Sequence, residues 1–171
     1  MKLILLFGGL LACSICLLSC GENRTLTYKI ENLELVASGP LTEGSNTAQG
    51  QFKPDVQAFL QKEGFALTDM REAHLSAVSL QMPDSLRSDL LSEIIFQLAA
   101  DNVDMQKLGV LNPVPPGQQQ LQIQVAQKQS DMVALLKQQA ITIVADINVK
   151  QDSAIDLQLK GSLEFTITVN K

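Results

Sequence analysis

Few residues in this chain combine the type and the spacing that chemistry requires. His74 is the sole histidine. A histidine works as a general base when a carboxylate orients it and a hydroxyl or thiol stands beside it. No Gly-x-Ser-x-Gly elbow and no Ser-x-x-Lys pair supplies that nucleophile. His74 therefore reads as a surface or strand-edge histidine. Zinc and iron sites draw on several His or Cys ligands. Here the cysteines, Cys13, Cys16 and Cys20, all lie in an N-terminal apolar run. Asp101 and Asp104 bracket Asn102 as calcium ligands would, yet the spacing departs from the EF-hand loop and no closing Glu follows. They read as a polar turn after a strand. Asp89 and Glu93 are a possible carboxylate pair for glycoside hydrolysis, but nothing near them in sequence separates them from solvated charges. Neither a phosphate-binding P-loop nor a G-x-G-x-x-G fingerprint is present. The expectation is no catalytic residue, no metal, no cofactor and a protein that is not an enzyme. A hydrolase with an unrecognised site is the least favoured reading.

Composition narrows the partners. The chain has 171 residues, a net charge of −5 and 46% hydrophobic residues. That length suits one domain, and that apolar content suits a packed core. A mildly acidic chain without a basic run makes a poor partner for phosphate backbones, so no nucleic acid is expected. There is no Trp, and Tyr28 is the sole tyrosine, so aromatic stacking platforms are scarce.

The N-terminus reads as an export signal. Met1-Lys2 is a minimal positive region, and Leu3–Leu18 carries no charged side chain. The run falls slightly short of the roughly 20 residues a spanning helix needs. Leu17-Leu18-Ser19-Cys20 resembles the lipobox of bacterial lipoproteins. The resemblance implies cleavage before Cys20, lipidation (palmitate among the acyl groups) of Cys20, and attachment to a membrane through that lipid. Leu10-Leu11-Ala12-Cys13 matches the box equally well but would leave a very short leader, so Cys20 is the expected site. The resulting division is 1–19 signal peptide, 20–24 lipidated tether and 25–171 a single domain. Asp84-Ser85-Leu86 and Asp152-Ser153-Ala154 match the Asp-Ser/Thr-apolar pattern of Bacteroidetes-type O-glycosylation, which makes Ser85 and Ser153 possible acceptors. The alternative for both is ordinary turn chemistry.

These residues must be positioned by elements that the apolar pattern outlines. Leu26, Tyr28 and Ile30 alternate as in a strand, and Leu33 and Leu35 continue on the other parity, which predicts a bulge or break near Asn32. Ser38–Gly50 has loop composition, with room for a short strand. Pro54–Lys62 reads as a helix, and Leu75–Met82 as a strand. Within 85–100 helical and strand periodicities compete. A loop or short helix to Leu91 and a strand over Glu93–Ala100 are expected, because β-branched and aromatic residues cluster there. Leu121, Ile123 and Val125 alternate with Gln120, Gln122 and Gln124. Ile123 and Val125 are expected inside, Gln122 and Gln124 outside. A short helix over Met132–Gln138 and a strand over Ile141–Val149 follow. Ile155, Leu157 and Leu159 share parity with Leu163, Phe165, Ile167 and Val169, so Gly161 is a bend in one long strand or part of a hairpin turn.

One apolar face per strand and no long βα alternation predict an antiparallel β-sandwich of about seven strands with one to three short helices. The stretch Leu98-Ala-Ala-Asp-Asn102, then Leu111-Asn-Pro-Val-Pro115, an alternating strand, a short helix and a terminal hairpin resembles small β-sandwich lipoproteins of the Bacteroidetes type. That family has no assigned activity. The resemblance implies an outer-membrane, lipid-anchored protein on the periplasmic face with an envelope protein as partner. The function expected from it is non-enzymatic binding or structural support in the cell envelope. The alternative is a carrier of a lipid or other apolar ligand between the sheets.

Overall fold

The computed structural model describes residues 23–83, 88–130 and 132–171. Eight strands run in chain order as β1 (Arg24–Ala37), β2 (Gly44–Phe52), β3 (Met70–Gln81), β4 (Leu91–Ala100), β5 (Val103–Leu111), β6 (Gln120–Val125), β7 (Ile141–Val149) and β8 (Leu157–Val169). Two short α-helices interrupt them, α1 (Val56–Lys62) before β3 and α2 (Met132–Leu136) before β7. The residue alternation explains most of this. In β8, Leu157, Leu159, Leu163, Phe165, Ile167 and Val169 are buried, and Gln158 and Lys160 are exposed. Gly161 keeps the phase, and β8 passes through it as one strand. In β1 the buried parity switches from Leu26 and Tyr28 to Leu33 and Leu35. The pairing with β8 shifts between Ile30 and Leu33, where Asn32 takes φ 58°. The predicted break is thus a β-bulge, with Glu31 and Asn32 together facing Ser162.

All strand pairs are antiparallel, and the order is β1-β2-β7-β4-β5-β6-β3-β8, closing back on β1. Strands 1 and 8, 2 and 7, 3 and 6, and 4 and 5 are partners. The chain is a long hairpin with its tip at the β4–β5 turn, rolled into a barrel. This is jelly-roll topology. The expected open sandwich of about seven strands is therefore corrected to a closed barrel of eight. Two strands carried little pattern: β2 was expected only as a short strand within the Ser38–Gly50 loop, and β5 was not expected. In β2 only Ala48 is buried, and in β5 consecutive Leu108 and Gly109 are both buried because a register shift displaces them.

Closure rests on two narrow seams. β1 meets β2 at one register pair, Val36 with Gln49, and β5 meets β6 at Gly109–Val125 and Val110–Gln124. A glycine stands at each seam. Gly50 lies against the backbone carbonyl of Glu34, and a Cβ on Gly109 would come within 2.6 Å of Ile123 Cγ2 and 2.9 Å of Gln124 O. Only a residue without a side chain admits such approach.

Both arcs of the barrel fill its interior. Phe96, Phe165, Leu35, Leu75, Leu80 and Leu98 are fully buried there. Tyr28 lies under α1, its ring centroid 5.0 Å from that of Phe59, and its Oη accepts a 2.9 Å hydrogen bond from the Asp55 N–H that leads into the helix. Burial, chiefly, holds the Tyr28 phenol above its ordinary pKa. The expected apolar-ligand carrier needs a hollow between sheets. The interior is occupied by side chains, so that alternative is corrected as well.

Candidate functional site

The residues singled out for chemistry are scattered. His74 is exposed on β3 opposite Thr166, beside a hollow of about 250 Å³ between β3 and the chain entering α2. Asp101 and Asn102 form the exposed β4–β5 turn, and Asp104 is exposed near the start of β5. Among the described residues no three metal-ligating side chains form a cluster. Asp89 and Glu93 hold the crossing loop instead: Asp89 Oδ1 accepts from the Gly117 N–H at 2.9 Å, and Glu93 Oε1 accepts from Asn112 Nδ2 at 2.9 Å. Ser153 is half-buried and exchanges backbone hydrogen bonds with Leu41. Cys13, Cys20 and Ser85 lie outside the described residues.

What the fold assembles is a trough across the outer face of β1, β8, β3 and β6. Its largest part, about 300 Å³, is bordered by Glu34, Val36, Gln81, Met82, Gln158 and Lys160. It shares Gln81 and Lys160 with a part of about 170 Å³ around Asn32 and Gln120. That part shares Glu31, Ser79 and Ser162 with a third, of about 110 Å³, which reaches Lys29 and Glu164. At this end Lys29 Nζ and Glu164 Oε2 pair at 3.0 Å.

Strand register creates the depression. Ser79 of β3 is paired with Ser162 of β8, so two short side chains share the middle of the face. Around them Lys160 stands between Glu34 of β1 and Gln81 of β3, which in turn faces Gln120 of β6. The bulge adds two polar residues of β1 opposite Ser162, and the left-handed backbone at Asn32 sets their direction. Asparagine tolerates that conformation better than most residues, and bulges characteristically re-aim side chains.

The floor carries an ordered hydrogen-bond pattern. Gln120 Nε2 and Gln122 Nε2 both donate to Ser79 Oγ, at 3.1 and 3.2 Å. A serine oxygen accepts two hydrogen bonds and donates one. With both acceptor positions taken, Ser79 retains its proton for a third group. β8 itself is paired on both sides, by β1 and by β3. The middle of the trough therefore offers side chains and not a free strand edge. Sequence reading singled out none of Ser79, Gln81, Lys160 or Ser162. Their only signal was the polar parity of each strand, which also marks any solvent-facing surface.

No family model matches the chain, and no curated protein matches it. Among solved structures it is similar to a chain in the cryo-EM structure of Mud crab tombus-like virus, at 10% identity and TM-score 0.43, over 88% of this chain and 90% of that one. It is also similar to a chain in the semi-empty VLP of the giant freshwater prawn Macrobrachium rosenbergii nodavirus, at 8% identity and TM-score 0.33, over 100% and 95%.

The reading drawn from the lipoprotein resemblance is corrected. That resemblance implied a sandwich, and the strands close into a jelly-roll barrel. The lipid-anchored envelope function, the outer-membrane location, and the membrane and envelope-protein partners fall with it. The physical reason is that the stretches carrying the sandwich resemblance, Leu98–Asn102 and Leu111–Pro115, marked turns and strand ends, which many β folds share.

Proposed function

We propose that this chain is a non-enzymatic binding module that engages its partner through the trough on the outer face of β1, β8, β3 and β6. One observation carries this reading. Three hollows adjoin one another through shared lining residues, on a face whose middle strand is paired on both sides. Ligand sites are concave, and their polar groups converge on one volume. Jelly rolls serve as viral coat domains, lectins and cupins, and in such folds function resides in the site and not in the barrel. Here the interior is packed, which leaves the work to the outside.

The test is a fragment map. The isotope-labelled chain is titrated with a mixed library of small polar fragments, and amide shifts are followed by NMR. The expected result is that shifts gather on β1, β8 and β3 around Ser79 and Ser162, and that Ser162→Arg, which fills the depression, removes them. Shifts that gather at the His74 hollow, or persist in Ser162→Arg, would overturn the reading.

A further inference from the structure

We infer that the trough takes a neutral, hydroxyl-rich chain, an oligosaccharide of several sugar units; this rests on the trough being the binding site.

Shape is the first argument. Along β1 the trough runs from Lys29 to Val36. At about 3.3 Å per residue that is roughly 20 Å. An elongated depression suits a linear ligand better than a single small molecule.

Charge is the second. The lining holds Lys29 and Lys160 against Glu31, Glu34 and Glu164. Among the described residues, two cations against three anions attract neither a polyanion nor a strongly basic segment. The pair Lys29–Glu164 is already closed upon itself.

Hydrogen-bond chemistry is the third. Each sugar hydroxyl both donates and accepts. The trough alternates groups of each kind: the Ser79 proton and Lys160 donate, Glu31 and Glu34 accept, and the amides of Asn32 and Gln81 do both. Gln120 and Gln122 orient Ser79 beforehand, which reduces the ordering cost on binding. Along the middle of the trough a peptide would find no strand edge, because β8 is paired on both sides. Among the described residues no aromatic side chain lines the trough, so recognition proceeds through hydrogen bonds and the affinity is modest.

The experiment uses the whole chain and a panel of neutral linear hexasaccharides of glucose, mannose, xylose and N-acetylglucosamine. Binding is followed by NMR shifts and by calorimetry. The expected result is that at least one member binds with shifts at Ser79, Ser162 and Asn32. Ser79→Ala and Glu31→Gln should each weaken it about tenfold, the loss of one well-placed hydrogen bond. His74→Ala should leave it unchanged. If fragments map to the trough but no saccharide binds there, the ligand class is wrong while the site stands. If saccharides bind but their shifts lie elsewhere and Ser79→Ala has no effect, the inference is overturned. If neither fragments nor saccharides reach the trough, the functional reading fails together with it.

Discussion

Gly50 of β2 lies so close to the main-chain carbonyl of Glu34 of β1 that no side-chain carbon fits between them. The contact sits beside Val36–Gln49, the one register pair that joins these two strands. Gly50→Ala must therefore push the strands apart where closure is weakest. A loss of about 3 kcal/mol is expected, at the upper end for overpacking, because the obstacle is backbone and cannot rotate away. Gly161→Ala is the control. There a Cβ would meet Leu35 Cδ1 at 3.3 Å, a side-chain end that can shift. Urea denaturation of both variants measures the difference. Equal losses would mean that the β1–β2 seam does not depend on this approach.

Gln129 extends the barrel with its side chain. Its Oε1 accepts from the Leu75 N–H and its Nε2 donates to the Leu75 carbonyl, both at 2.8 Å, and Nε2 also reaches Ala126 O at 3.0 Å. The register pairs of β6 with β3 run from Val78 to Gln81, so the amide takes a strand's place beside Leu75. Gln129→Ala should cost about 2 kcal/mol and speed hydrogen exchange at Leu75, because it leaves partly buried backbone groups unpaired. Gln129→Glu should cost at least as much at neutral pH, since a carboxylate cannot donate to Leu75 O. It should recover partly as the pH falls and the carboxyl gains a proton. Stability of the Glu variant that does not respond to pH would refute this account.

Tyr28 offers a clean titration, because the chain has one tyrosine and no tryptophan. Burial raises its pKa above the ordinary value of about 10. The folded state then holds the phenolic proton more tightly than the unfolded state. This contribution to stability is fully present below the unfolded pKa and is lost as the pH rises through the folded one. Tyrosinate absorbance should show a midpoint above 10 in the folded protein, dropping to the ordinary value in denaturant. Tyr28→Phe removes the signal and also the acceptor of the Asp55 N–H, at a cost of about 1 kcal/mol. An ordinary midpoint in the folded state would place the hydroxyl in water.

Ile123 and Gln122 are neighbours on β6 with opposite fates. Ile123 is 5% exposed, and Gln122 faces solvent. Ile123→Ala should cost about 2–5 kcal/mol. Gln122→Ala should stay within about 0.5 kcal/mol, because its bond to Ser79 is exposed. Similar losses at both positions would mean that the register of β6 against β3 is wrong.

Local pattern determined much of this protein. Alternation in the sequence marked β3, β6, β7 and the outward glutamines, and the parity switch in β1 located the bulge at Asn32. Within 85–100 alternation was ambiguous, and the clustered β-branched and aromatic residues placed a strand over Glu93–Ala100; β4 runs Leu91–Ala100 after a turn of helix at Ser88–Leu90. Val125, expected inside, is only half-buried, because it lies at the end of β6 beside the β5 seam. Alternation reports which face of a strand meets apolar matter, and that is a property of neighbouring residues. It does not report which strand lies alongside. The pairing of β1 with β8 joins the two ends of the described chain, and its energy exists only once everything between them has packed. Closure depended on Gly50 and Gly109, single residues without any periodic signal. β2 and β5 were obscured by small and polar residues and by a register shift. The trough depended on closure in turn, since Asn32, Ser79, Gln120 and Ser162 come from four strands that only the tertiary fold sets side by side.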